Sequence, residues 1–424
     1  MDLLADLDAR GLIHDSTNRD ALAARLATGP IGIYIGFDPT ADSLHVGHLV
    51  GQLYLRRFQL AGHRPFPLAG GATGMIGDPG GRSEERNLLD LDTLRHNVGC
   101  IKVQLTKLLD FEPGPYQATL VNNADWTTDL SLLAFLRDVG KFATVNQMSA
   151  RDSVRSRLHS DTGISYTEFS YQLLQANDFR HLYEMHGVEL QSGASDQWGN
   201  IVAGVDLIRR RLGADAYGLT HPLITRADGA KMGKSVDGAV WLDPVRTSPY
   251  RFHQFWLQLD DELVPTYLRM LSMRSLAEID ALIDEQRQAP ERRVGQRALA
   301  DEMTTLVHGA PAAGAATGAA TVLFGGDPTT VSADVLAMLA REIPASRHDV
   351  AALADPIELL VGTELASSKS DARRLIEQGS VRANGIVVQS DQALRAANLL
   401  HGRYVLLRKG KRNHHLAEFL PDQG

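Results

Sequence analysis

The stretch Tyr34-Ile-Gly-Phe-Asp-Pro-Thr-Ala-Asp-Ser-Leu-His-Val-Gly-His-Leu-Val50 reads as a strand, a break and the opening of a helix. Ile31 to Phe37 is apolar and β-branched, interrupted by Gly32 and Gly36, which predicts a buried strand. Asp38, Pro39 and Thr40 end it with turn chemistry. Asp42 or Ser43 is then suited to cap a helix that carries Leu49, Leu53 and Phe58 inward. His45 and His48 are three apart and share its first turn. Free backbone N–H groups and the positive dipole end make such a turn a seat for phosphate. Gly47 removes a side chain there, so that a planar ligand can reach the backbone. Two histidines at this spacing also fit a metal site or a capped surface helix, and the pair alone leaves those readings open.

The rest of the chain bounds the answer. At 424 residues it is long enough for more than one domain, and 44% hydrophobic with 22% charged residues is an ordinary globular composition. No apolar run is long enough to span a bilayer. The opening Met-Asp-Leu-Leu-Ala-Asp-Leu-Asp is acidic, unlike a secretory signal or an Arg-rich transit peptide. A single cysteine, Cys100, excludes an internal disulfide and a Cys-rich zinc site. These features point to a cytoplasmic protein. The net charge is −8, yet Ser367 to His415 holds ten Lys/Arg against three Asp/Glu, a local +7 that leaves −15 on the remainder. A basic module on an acidic body is a footprint of nucleic-acid binding, although a solvated basic surface has the same composition.

Taken in order, residues 1 to 29 read as a helical lead-in with Leu22 and Leu26 on one face. Arg64-Pro-Phe-Pro-Leu-Ala69 predicts a second buried strand, ending in Gly70-Gly-Ala-Thr-Gly-Met-Ile-Gly-Asp-Pro79. Strand, helix and strand in quick succession suggest a βαβ unit and a parallel sheet. Gly71, Gly74 and Gly77 have the wrong spacing for a dinucleotide fingerprint. Asp78 falls beyond the end of a strand, where ligands of open sheets bind; its plain alternative is a turn residue before Pro79. Residues 83 to 160 read as mostly helical, with Glu84, Glu85 and Arg86 exposed, a strand near Ala118 to Asn122, and a solvated basic loop at Arg151 to Arg157.

Within Glu168 to Phe179, Tyr171, Gln175 and Asp178 recur at intervals of four and three and so share one helical face. That row is either plain surface or the lining of a polar pocket. Val188 to Gln191 predicts a strand running into Gly193-Ala-Ser-Asp-Gln-Trp-Gly199, again a strand that ends in glycine and polar residues. Residues 250 to 340 show helical periodicity, and the Ala/Gly run Gly309 to Ala320 reads as a poor helix rather than a free tether. Two prolines between Ile343 and Pro356 suggest a hinge. Beyond it come a helix at Ser368 to Glu377, a turn over Gly379 to Gly385 and a strand at Tyr404 to Lys409.

Far downstream of the histidines lies Lys231-Met-Gly-Lys-Ser235, on a polar loop with Gly229 and Gly233. The two stretches resemble the His-Ile-Gly-His and Lys-Met-Ser-Lys-Ser signatures of class I aminoacyl-tRNA synthetases. The segments around Asp78, Tyr171 to Asp178 and Gln191 to Gln197 are similar to the tyrosyl-tRNA synthetase group in particular. That resemblance implies a tyrosine site in which Tyr34 and Asp178 take the phenolic hydroxyl, while Asp78, Tyr171, Gln175 and Gln191 hold the amino end and backbone. It implies that Gly36, Asp38, Gly47, Asp196, Gln197 and Ser235 face ATP. Thr40, His45, His48, Lys231 and Lys234 would stabilise charge building on the phosphates. The usual serine is Gly233 here, which costs one hydroxyl donor and leaves both lysines. The chemistry fits these residue types: a carboxylate accepts the phenol's proton and a tyrosine hydroxyl donates to its oxygen. Phenylalanine would leave both groups unpaired.

The resulting expectation is an α/β chain. A Rossmann-like parallel-sheet catalytic domain would occupy 1–240, a helical domain on the anticodon side of tRNA 241–342, a hinge 343–355, and a small basic α+β RNA-binding domain 356–424. Lys369, Arg373, Arg374 and Lys411 are its candidates for phosphate contact, positioning rather than reading sequence. Implied partners are L-tyrosine, ATP and tRNA(Tyr), in a homodimer away from membranes. Magnesium would arrive on the ATP phosphates, with no protein cage for a metal. Three other readings use the same motifs: a tryptophanyl-tRNA synthetase, a related nucleotidyltransferase that ignores tRNA, and a scaffold with a dead catalytic domain. The tyrosine pair, the helices with their basic module, and the presence of all four histidines and lysines argue against each in turn.

Overall fold

The computed structural model describes residues 2–78, 89–158, 163–225, 232, 234–235, 238–349, 355–388, 399–410 and 413–420. In it the Tyr34 run is strand β1 (Gly32–Phe37), followed by β2 (Arg64–Ala69), β3 (Val121–Asn122), β4 (Val188–Ala194) and β5 (Tyr217–His221). All pair in parallel, in the order β3-β2-β1-β4-β5. Such a sheet must be covered on both faces, and its strands are correspondingly apolar. On one face the Val46–Leu60 helix buries Leu49, Leu53 and Phe58. Elsewhere Phe179 and Leu182 of the Tyr166–His186 helix and Ile208 of the Trp198–Leu212 helix pack with Phe66, Leu68 and Val188. Each such fully buried side chain contributes about 1.5–3 kcal/mol.

By its contacts the chain divides into two units, Met1–Thr247 with Gln258–Leu299, and Ser248–Leu257 with Ala300–Gly424. The helices predicted as one block over 241–342 therefore fall in both. In the first unit the buried guanidinium of Arg10 donates to the carbonyls of Ser272 (3.1 Å) and Arg274 (2.8 Å), and that of Arg57 also reaches Ser272. These bonds fasten the Val264–Leu271 helix and the turn after it to the sheet unit. In the first unit, two further short strands, β6 (Lys234–Ser235) and β7 (Gly238–Ala239), pair antiparallel.

The second unit carries strands β8 (Ala345–Asp349), β9 (Val381–Ala383), β10 (Ile386–Val387), β11 (Tyr404–Lys409) and β12 (Asn413–Leu420), in the order β10-β9-β11-β12-β8. The predicted hinge thus contains a strand: β8 runs parallel to β12, with Ala345 opposite Leu416 and His348 opposite Phe419. Alternation along β11 sends Val405 and Leu407 to one side, with Leu359 and Leu375, and Tyr404 and Leu406 to the other. On that second side the Ala/Gly run forms the Ala310–Leu323 helix, whose small Ala315 and Ala319 lie against Val335, Leu336 and Leu339. Among the described residues no helix is long and apolar enough to cross a membrane.

Three local expectations need correction. The cap of the Val46–Leu60 helix is His45, not Asp42 or Ser43. The basic run Arg151 to Arg157 is no solvated loop: Asp152–Leu158 is helical, Arg151 donates to the Gly199 carbonyl, and the Arg157 guanidinium is buried against Glu168 at 2.9 and 3.3 Å. Strand β4 continues past Gln191 to Ala194. Pro79, Glu84, Glu85, Arg86, Gly229, Lys231, Gly233 and Lys411 lie outside the described residues.

The Arg157–Glu168 pair, 4% and 1% exposed, generates a stability prediction. Glu168→Ala removes the Glu168 carboxylate and its two bonds from a buried guanidinium and is expected to lower unfolding free energy by about 3–5 kcal/mol in chemical denaturation. A loss below about 1 kcal/mol would contradict it.

Candidate active site

Strand order reverses between β1 and β4, and ligands of open parallel sheets bind beyond the carboxyl ends at such a point. A cleft of about 400 Å3 opens there. At its inner end Asp178, 2% exposed, accepts from Asn123 Nδ2 at 2.9 Å and Trp126 Nε1 at 2.8 Å. Burial pushes its carboxyl up to about 7, and the two donors only partly offset that. Beside it the ring of Tyr34 is buried and tilted against Phe179, centroids 5.5 Å apart, with its hydroxyl 3.5 Å from the Gln175 carbonyl. Burial and the neighbouring Asp178 raise the Tyr34 phenol far above its ordinary range, so it remains a donor.

From this end a chain of hydrogen bonds runs outward. Asn123 Nδ2 also donates to Thr73 Oγ1 at 3.0 Å, and Thr73 donates to Asp38 Oδ1 at 2.7 Å. The Tyr171 hydroxyl donates to the other Asp38 oxygen at 2.8 Å. The glycine loop makes this possible. A Cβ on Gly70 would sit 2.2 Å from Asp38 Oδ1 and 2.5 Å from Thr73 Oγ1. On the facing wall Gln197 Nε2 donates to Asp78 at 2.7 Å, while Gln175 Nε2 reaches Gln197 Oε1 at 3.3 Å.

The outer half is built on the His45 turn. The His45 ring bends back to accept from the Gly47 N–H at 3.0 Å, and the His48 ring accepts from the His45 N–H at 3.2 Å. The two rings stack with centroids 3.9 Å apart. Gly47 is required by this folding back, since a Cβ there would lie 2.8 Å from the His45 ring. Backbone bonds tie the turn to the segment after β7: Val46 N to Val240 O at 3.0 Å and Leu242 N to Leu44 O at 2.8 Å. Gln104, buried on the Leu91–Leu105 helix, accepts from Leu44 N at 2.8 Å. Thr40, Gly36 and Asp196 complete the wall.

The structure thus brings thirteen of the sequence-selected residues to one cleft: Tyr34, Gly36, Asp38, Thr40, His45, Gly47, His48, Asp78, Tyr171, Gln175, Asp178, Asp196 and Gln197. Gln191 is not on the wall. Period-two alternation turns it towards Gly204 of the Trp198–Leu212 helix, where it is buried. From the lysine stretch, buried Met232 reaches the cleft, and Lys234 and Ser235 form β6 beside it in sequence. Lys369, Arg373 and Arg374 are exposed in the second unit; Lys369 pairs with Glu358, and Arg374 with Asp371 at 2.6 Å. Sequence reasoning passed over Thr73, Asn123 and Trp126. Only Asn123 had a local signal, the polar pair Asn122-Asn123 at the end of the two-residue β3, and it did not reveal the partner. Among the described residues no three His, Cys, Asp or Glu side chains are grouped to hold a metal ion.

The chain is similar to known proteins over nearly its whole length. The family profile described as tRNA synthetases class I (W and Y) matches residues 26–325. A second, described as a tyrosine-tRNA ligase SYY-like C-terminal domain, matches residues 336–417. A tyrosine-tRNA ligase of Opitutus terrae is 52% identical, covering 98% of this chain and 99% of its own. One from Streptomyces griseus is 51% identical over 97% of each. Among solved structures, a C-terminally truncated mitochondrial tyrosyl-tRNA synthetase of Aspergillus nidulans superposes with a TM-score of 0.70 at 33% identity, covering 76% of this chain and 94% of that one. On the match over 26–325 and on relatives above half identity across nearly the whole length, the chain belongs to the class I tRNA synthetases of the W and Y family.

Proposed function

We propose that the chain activates L-tyrosine with ATP and transfers the tyrosyl group to tRNA(Tyr). The observation that carries the choice of amino acid is the buried Asp178 carboxylate beside the Tyr34 hydroxyl. A phenol entering there donates to Asp178 and accepts from Tyr34. A phenylalanine ring would desolvate both groups without replacing either bond. The indole of tryptophan has a donor but no matching acceptor. Asp78, Tyr171 and Gln175, on the same cleft wall, are the partners for the amino end, with Gln191 packed behind against Gly204.

In the reaction a tyrosine carboxylate oxygen forms a bond to the α-phosphorus of ATP as the bond to the pyrophosphate oxygen breaks. A ribose hydroxyl at the 3′ end of tRNA then attacks the tyrosyl carbonyl, and AMP leaves. Neither step requires a covalent enzyme intermediate; the first needs alignment and stabilisation of charge on the phosphates. His45, His48 and Thr40 supply that stabilisation, joined by Lys231, Lys234 and Ser235; the first N–H groups of the helix are themselves bonded, Val46 to the Val240 carbonyl and Gly47 to the His45 ring. Asp196, Gln197, Gly36, Asp38 and Gly47 frame the nucleotide. Magnesium enters on the ATP phosphates and adds neutralising charge there. We assign the chemistry to 1–240, and tRNA docking to the helices of 241–342 and the basic module 356–424 beyond a 343–355 connection, with Lys369, Arg373, Arg374 and Lys411 on phosphates. Such a protein works in the cytoplasm, where its tRNA is.

We also propose a homodimer. Leu132 and Leu133 are 69% and 79% exposed, and Val145 and Tyr166 nearby in sequence are 65% and 71% exposed. Apolar side chains left in water in such number suit a second copy of the chain. Leu133→Asp is expected to shift the sedimenting species from twice the chain mass towards the monomer; a wild-type monomer at micromolar concentration would contradict the dimer.

The reaction is tested by amino-acid-dependent exchange of pyrophosphate into ATP, with tyrosine, phenylalanine and tryptophan in parallel and no tRNA. Exchange with tyrosine alone is expected. Exchange with tryptophan would overturn the roles of Tyr34 and Asp178, and silence from folded protein would overturn the catalytic reading.

A further inference from the structure

Among the described residues, one titratable side chain lining the cleft has no part in the assignments above. His221 closes β5 in register with Ala194 of β4, the residue before the turn that carries Asp196, and lines the cleft. Its ring is 4% exposed and tilted against Tyr54, centroids 5.5 Å apart. Nδ1 stands 3.0 Å from the Pro222 carbonyl oxygen. A carbonyl only accepts, so that bond places the ring proton on Nδ1 and leaves Nε2 as a bare acceptor. Among the described residues no group bonds Nε2. Burial lowers the imidazole's proton affinity, against smaller opposing effects of the Pro222 carbonyl and Asp196, so the neutral form prevails.

Asp196, in the Ser195–Gln197 turn that follows β4, is a second acceptor on this wall. Two acceptors on one wall suit a ligand group that donates. ATP offers such groups in its ribose hydroxyls and its adenine amino group, whereas its phosphates offer none at neutral pH.

We propose that His221 is a nucleoside-binding residue of this cleft, its Nε2 accepting a hydrogen bond from a hydroxyl or amino group of ATP. The inference rests on the reading of the cleft as an ATP site. His221 is a binding residue only; it takes no proton from a reacting atom. The Tyr54 contact and the Pro222 bond hold the ring in place, so little rotamer freedom is lost when the nucleoside arrives.

The test uses the full-length chain, with wild type as the reference and two substitutions, plus a third, His221→Val, should the first fail to fold. His221→Phe keeps a ring against Tyr54 and removes the acceptor, and His221→Gln restores an acceptor. Dissociation constants for ATP and for tyrosine are measured by equilibrium dialysis, with thermal melting to confirm folding. His221→Phe is expected to weaken ATP about five- to tenfold, the loss of one hydrogen bond, with tyrosine affinity unchanged. His221→Gln should recover part of that loss. Repeating the comparison with 2′-deoxy-ATP, 3′-deoxy-ATP and purine riboside triphosphate locates the donor, because the gap between wild type and His221→Phe closes for the analogue that lacks it. Equal ATP affinity in wild type and a folded His221→Phe would overturn the role of His221 while leaving the ATP site standing. A gap that persists with all three analogues would also overturn it. Wild-type protein that binds no ATP would overturn the reading of the cleft itself. Should His221→Phe fail to fold, an ATP affinity in His221→Gln equal to that of His221→Val would contradict the acceptor.

Discussion

A buried carboxylate needs partners, and much of this site follows from meeting that need for Asp178. An unpaired charge at that depth would neutralise itself by taking up a proton. Asn123 and Trp126 each donate to it, yet its carboxyl still sits near 7 because burial outweighs them. The geometry of the donors then fixes their surroundings. Asn123 also accepts from Ala72 N at 2.7 Å and donates to Thr73, which binds the glycine loop to the end of β3. Thr73 in turn reaches Asp38 at the end of β1, whose other oxygen holds Tyr171. One polar network therefore joins the ends of three strands and the long Tyr166–His186 helix. It is worth more intact than in pieces, since a half-satisfied buried network costs more than an apolar one.

Asp38 lies where the two halves of the cleft meet. In the proposed reaction the inner half would recognise tyrosine by burial and directional hydrogen bonds, and the outer half would act on phosphate through the field of its side chains. Its His45 turn is held from both sides, by Gln104 and by the backbone of Val240 and Leu242, so the fold itself sets the stacked rings in place. Preorganised donors need no rearrangement when charge develops on phosphate, which is where electrostatic catalysis gains most.

The sheet and its site edge were legible in the sequence because parallel strands are continuous apolar runs and the loops after them are glycine-rich and polar. Tyr171, Gln175 and Asp178 could be placed on one face by helical period, and the structure puts all three on the cleft wall. Three kinds of information were not legible. The His45 cap is one, since histidine is an uncommon cap and only the Gly47 backbone gives its ring room to turn back. Long-range pairing is another: Arg157 reads as a surface cation until Glu168 is brought to it. The last is the support of Asp178, because Asn123 and Trp126 lie 55 and 52 residues away and no local period connects them. The same holds for Arg10 and Arg57, whose bonds to the Ser272 carbonyl draw a helix predicted for a separate block into the sheet unit.

The central claim is that Asp178, as a carboxylate, accepts the hydroxyl of tyrosine. The most direct measurement is the tyrosine dissociation constant from about pH 6 to about pH 8, by calorimetry on the full-length chain and on Asp178→Asn. With the free carboxyl near 7, the ionised acceptor is lost as pH falls, so wild-type affinity should weaken about tenfold towards one unit below that value. Asp178→Asn should bind tyrosine more weakly at the upper end of that range and show no such slope. A wild-type affinity that is flat across this range, or an Asp178→Asn protein that binds as tightly at its upper end, would contradict the account.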